Sequence, residues 1–107
     1  PICTYNLEWS GQFTNADTQI QDVDIWIRVN GTDVAGSNGR VSVPNKHGSV
    51  NGNLIAAWNY FLSLSAGDYV QLVWASTSTL VTIAYAAANT SVPHPSTASV
   101  IVTMARV

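Results

Sequence analysis

Charge is what this chain has least of. Of its 107 residues 9% are charged, where an average soluble domain carries about a quarter. The four basic residues, Arg28, Arg40, Lys46 and Arg106, do not cluster, and the net charge is −2. That excludes the electrostatic footprint of a nucleic-acid binder. Cysteine occurs once, at Cys3, so no intrachain disulfide can form. Because Cys3 begins an alternating apolar face, it reads as a buried, inert thiol. Long apolar runs are missing too, so no membrane insertion is expected. The start, "PICTYNLEW", has no initiator Met, no basic region and no long apolar stretch. It therefore reads as processed, or cut from a longer protein.

What is present is alternation. The length suits one domain, 1–107, with room for a modest core. Its polarity comes from Ser, Thr, Asn and Gln rather than charge, which suits a tightly associated oligomer or a crowded particle. In "CTYNLEWSGQF" one face carries Cys3, Tyr5, Leu7, Trp9 and Phe13, and the other Thr4, Asn6, Glu8, Ser10 and Gln12. That is period two, a half-buried strand. "DVDIWIRVN" repeats it, with Val23, Ile25, Ile27 and Val29 on one face and Asp24, Trp26 and Arg28 on the other. Asn30-Gly31 follows, and both residues tolerate the positive φ of a type I′ hairpin turn.

A Gly- and Asn-rich stretch then holds one short strand, Arg40 to Val43, with Pro44 at its end. "NLIAAWNYFLSLS" returns to period two, with Leu54, Ala56, Trp58, Tyr60, Leu62 and Leu64 on one side. Aromatics and serines argue against a helix there. "YVQLVWAS" places Val70, Leu72 and Trp74 together, and "TLVTIAYAAA" places Val81, Ile83 and Tyr85 together. "NTSVPHPST" is a loop stiffened by Pro93 and Pro95, and "ASVIVTMARV" is a β-branched strand. About eight strands and no helix predict an all-β antiparallel sandwich or jelly roll. Between two of these strands lies "AGD". Gly67 gives the backbone freedom a sharp corner needs, and the Asp68 side chain can accept hydrogen bonds from nearby N–H groups.

"SLSAGDYVQLVW" resembles the "L-x-x-GD-x-V-x-L" corner of the jelly-roll domains of the complement-globular-head and tumour-necrosis-factor superfamily. "YNLEWSGQF", "DVDIWIRVNGTDV" with "NKHG", and the stretch from "SLSAGDYVQLVW" to "HPSTASVIVTMARV" together resemble a family of bacteriophage virion proteins. The resemblance runs from about Tyr5 to Val107. It implies a jelly roll of that type, usually a homotrimer, on the virion exterior beside other virion proteins. Domains of this kind normally carry a further strand before the "YNLEW" strand. Here the chain either lacks that N-terminal strand or takes it from a neighbouring subunit.

Candidate chemistry is sparse. Asp22 and Asp24 share a strand face, but convergent partners are missing and a solvated strand edge explains them better. His47 and His94 sit in turn-rich segments without metal-ligand spacing, so solvent-facing loop positions are expected. "NGT" at Asn30 and "NTS" at Asn89 fit the glycosylation pattern, and the first is better explained as a turn. No nucleophile motif stands among the serines. Neither an enzyme nor a cofactor is expected. Trp9, Trp58 and Trp74 fall on apolar faces and read as core. Trp26, Phe61 and Tyr69 fall opposite the core rows, as candidate interface anchors or stacking platforms for a glycan. The leading expectation is a trimeric structural module of a fibre, knob or capsid decoration. The alternative is a carbohydrate-binding module for cell-surface glycans.

Overall fold

The computed structural model describes all residues from Pro1 to Val107. There is no helix. Eight strands form: β1 (Ile2–Asn15), β2 (Gln21–Val29), β3 (Thr32–Asp33), β4 (Gly39–Val43), β5 (Gly52–Ser65), β6 (Val70–Ser76), β7 (Val81–Ile83) and β8 (Val100–Arg106). Every pairing between them is antiparallel.

Two sheets result, each organised around one strand. β5 pairs with β1 along its full length, Ile2↔Ser65 to Asn15↔Gly52. A strand has two edges, so β7 (at Phe13–Asn15) and β8 (at Tyr5–Gly11) share the other one. In the second sheet β6 takes one edge of β2 over Val23–Val29. β4 and β3 share the opposite edge, at Gln21–Ile25 and Arg28–Val29. The chain changes sheet between β1 and β2, β4 and β5, β5 and β6, and β6 and β7.

Strict alternation explains the core. The odd-numbered row of β1 supplies Leu7, Trp9 and Phe13, and β2 supplies Val23, Ile25 and Ile27, all buried. Val43, Ala56 and Val81 complete the contact between sheets. Phe13 meets Trp74 across the sandwich edge-to-face, centroids 5.4 Å apart at 71°, the geometry aromatic quadrupoles favour.

Three expectations about side chains fail. Cys3 is partly exposed rather than buried. Tyr85 lies beyond β7, which ends at Ile83, and stands exposed. Trp58 shares the inward row of β5 yet is 57% exposed. Opposite it the second sheet offers Gly39, which has no side chain, and Arg40, whose guanidinium turns away to Asp24. Val41 and Tyr60 share its opening, and more than half of Trp58 stays in solvent.

Only 14 of the 107 residues are buried. The chain measures 53 × 32 × 16 Å. Its radius of gyration is 16.1 Å, where a compact chain of this length has about 13 Å. As a single copy this is a thin slab.

Candidate functional site

The two turns read from the sequence meet in space. Asn30 and Gly31 take φ of 52° and 81°, and Gly67 takes 88°. The hairpin from β2 to β3 and the corner from β5 to β6 then lock together. Asn30 Nδ2 donates to Asp68 Oδ1 at 2.9 Å, and the Tyr69 N–H donates to Asn30 Oδ1 at 3.1 Å. The Asn30 N–H in turn donates to the Tyr69 carbonyl at 3.0 Å. The other Asp68 oxygen accepts from the Ser65 N–H at 2.8 Å. The Asn30 amide, followed by the Ser65 N–H, lowers the Asp68 pKa below the ordinary carboxylate value. This cluster ties the two sheets at one end. Tyr69, 54% exposed, holds its hydroxyl over Gly31.

Trp26 lies on the outer face of the second sheet, half-buried. Its Nε1 donates to Asp33 Oδ1 at 2.8 Å, and Arg28 Nε donates to the same oxygen at 2.6 Å. These bonds, Arg28 first, lower the Asp33 pKa. On the same face Arg40 grips Asp24 through two bonds of 3.0 and 3.1 Å, and Asn38 adds a third. Arg40, then Asn38, lowers the Asp24 pKa, and Asp24 raises that of Arg40. Asp22 accepts from the Ser42 hydroxyl. Asp22 and Asp24 therefore sit on the central strand β2, not on a strand edge. Every carboxylate displaced from its ordinary pKa is displaced downward, by donors that hold it ionised.

The outer face of the first sheet is different. Cross-strand rows Phe61–Asn6–Ala105, Asn59–Glu8–Thr103 and Ala57–Ser10–Ile101 run across β5, β1 and β8. The last two rows floor a shallow, open concavity. Phe61 is 67% exposed at its end. Asn6 Nδ2 donates to Glu8 at 3.2 Å, and Asn59 Nδ2 donates to Asn6 Oδ1 at 3.2 Å.

The two flanks of the sandwich are open. On one, between β8 and β6, Trp9, Phe13, Leu72, Trp74, Val100 and Val102 line an apolar cleft of about 250 Å³. β8 packs on β1, and the cleft separates it from β6 of the second sheet. Its inward row (Val100, Val102, Met104) and its outward Ile101 are all exposed, and its far edge has no pairing strand. On the other flank Trp58 stands over an opening of about 80 Å³ between β5 and β4. Beneath it Tyr60 donates its hydroxyl to the Ser37 carbonyl at 2.8 Å. Burial pushes the Tyr60 pKa up. The nearby Trp9 indole works weakly the other way, without closing a hydrogen bond of good geometry.

Two buried polar residues escaped the sequence reading. Asn15 Nδ2 donates to the Gln19 and Val43 carbonyls, and its Oδ1 accepts from the Asp17 N–H. Ser37 Oγ accepts from the Ile27 N–H and donates to the Val34 carbonyl. The one available signal for Asn15 was its place at the end of the odd, inward row of β1. The two histidines stay apart from such clusters. His47 closes a turn with Val50, and His94 Nδ1 lies 2.7 Å from the Pro95 carbonyl in the loop after β7. No three His, Cys, Asp or Glu side chains gather where they could hold a metal ion.

Compared with known proteins, the chain matches no family model, no curated protein and no solved structure.

Proposed function

We infer that this chain is a non-enzymatic assembly module, a β-sandwich that completes its apolar surface against copies of itself. Its place is a homotrimer on the exterior of a bacteriophage particle, as a fibre, knob or capsid decoration. One observation carries the assembly part: the single chain leaves 6832 Å² accessible, roughly 1,000 Å² more than the roughly 5,800 Å² of a compact protein this size. That excess is comparable to the roughly 800 Å² each partner contributes to a standard interface. Exposed apolar side chains on β8 (Val100, Ile101, Val102, Met104) and on β5 (Ile55, Trp58, Phe61) offer surface for it, and an exposed, unpaired strand edge is a template for association. The jelly-roll type, the three-fold symmetry and the virion setting rest on the sequence resemblance. An image of the intact particle tests the reading. Three copies meeting at an exterior position support it, and a copy sealed inside the particle or surrounded by unlike neighbours contradicts it.

A second reading has its own observation. The concavity floored by Glu8, Ser10, Asn59 and Thr103, with Phe61 exposed beside it, offers polar groups and an aromatic ring to a cell-surface glycan. Binding to immobilised glycans that is lost in Phe61→Ala, with assembly intact, supports that reading.

A further inference from the structure

The two open flanks differ in shape. The β8–β6 flank is a recess, and its exposed rim residues are the aliphatic Val100 and Val102. The β5–β4 flank carries a protruding indole, Trp58, above a much smaller opening. β5 and β8 occupy opposite edges of β1, so knob and recess lie on opposite sides of the same sheet. The recess, about 250 Å³, has the volume of about eight water molecules. That is enough for one aromatic side chain. Its lining is almost entirely apolar, so water gains little there.

Resting on the assembly reading above, we propose that the contact between copies is head-to-tail: Trp58 of one copy enters the cleft between β8 and β6 of the next. The occupant is a second copy of this chain because both halves of the contact are present on one molecule. The two strands set no charge against each other, and Arg40 beside the knob is already paired with Asp24. β5 has no charged residue from Gly52 to Ser65, and β8 has none before Arg106. A two-fold contact fits worse. It sets knob against knob or recess against recess and leaves the cleft unfilled. A head-to-tail contact uses two different patches, so it builds a ring when its rotation closes. It also brings the free edge of β8 toward the free edge of a neighbour's β5. Trp58 is then an interface anchor of the kind that dominates binding energy, a ring held in a desolvated pocket.

The test uses two variants of the full chain, each destroying one half of the contact. Trp58→Ala removes the knob and Val102→Lys blocks the recess, with Val100→Lys as a second recess variant. Trp58 and Val102 are more than half exposed, and circular dichroism checks that each variant folds. Masses come from light scattering at a concentration where the wild type is assembled. The proposal expects each variant alone to be a single chain. A one-to-one mixture should give a particle of two chains, since the lysine variant's Trp58 still fits the alanine variant's open cleft. If both variants stay assembled, the contact lies elsewhere, and the proposal falls while the assembly reading stands. If only the Trp58 variant dissociates, the contact is a two-fold one through β5 and the proposal falls. A wild type that is monomeric throughout removes the assembly reading and the proposal together.

Discussion

Asn30 and Asp68, far apart in sequence, are joined by a 2.9 Å hydrogen bond between their side chains. Each residue also shapes its own turn, so the bond couples the β2–β3 hairpin to the corner where the chain crosses between sheets. Asn30→Gly keeps the positive φ and removes both side-chain bonds. It should lower stability by about 1 kcal/mol, measured by urea denaturation at fixed chain concentration. Asp68→Ala should lower it too, but by less in the Asn30→Gly background than alone. Equal effects in both backgrounds would show that the two turns are independent.

Gly52 and Gly67 separate two reasons for having no side chain. At Gly67, φ is 88° and nothing lies within 4 Å of a built Cβ. Gly67→Ala therefore meets strain only, about 1–2 kcal/mol. At Gly52 a Cβ would collide with the Pro44 carbonyl, and backbone cannot swing aside as a side chain can. Gly52→Ala should destabilise more than Gly67→Ala. A smaller loss at Gly52, in the same urea experiment, would contradict the packing of β5 under Pro44.

Asn15 is fully buried and serves three backbone partners. Asn15→Ala removes one buried bond, to the Val43 carbonyl, and two part-buried ones, to the Gln19 carbonyl and the Asp17 N–H. A buried polar group left without its partner costs about 1–3 kcal/mol, and the expected loss is about 2 kcal/mol. A loss below 1 kcal/mol, with the loop before β2 unchanged in amide exchange, would show that water replaces the side chain.

The acid limb of stability follows from Asp24, Asp33 and Asp68. Each has a folded pKa below its ordinary value of 3.8. Such groups add stability that is present above the unfolded pKa and lost as pH falls through the folded one. Asp33 is exposed and Asp24 and Asp68 are partly so, and solvent screens the effect. The urea midpoint should stay level from pH 7 to about 5 and decline only below about pH 4. A decline between pH 7 and 5 would point to other groups.

How much of this was legible in the sequence depends on range. Period two marked Leu7, Trp9, Phe13, Val23, Ile25 and Ile27 as core, because alternation is local to one strand. Asn30-Gly31 and Gly67-Asp68 were legible as turns for the same reason. That they bond to each other was not, since pairing between distant loops leaves no local pattern. Trp58 misled for a related reason. Its row faces inward, but burial needs a covering side chain, and the opposite sheet presents Gly39 there. Phe61 and Tyr69 stand exposed as their parity implied, whereas Trp26 is half-buried and tied to Asp33. The open flank at β8 was not foreseen as a site, because which strand ends a sheet is a property of topology.

The central claim is that one copy is not the working unit. Multi-angle light scattering of the wild-type chain across micromolar concentrations measures this directly. The account predicts the mass of three chains, stable on dilution and lost when Trp58 or the cleft it fills is altered. A mass of one chain at every concentration, with the circular dichroism of a folded β protein, would contradict it.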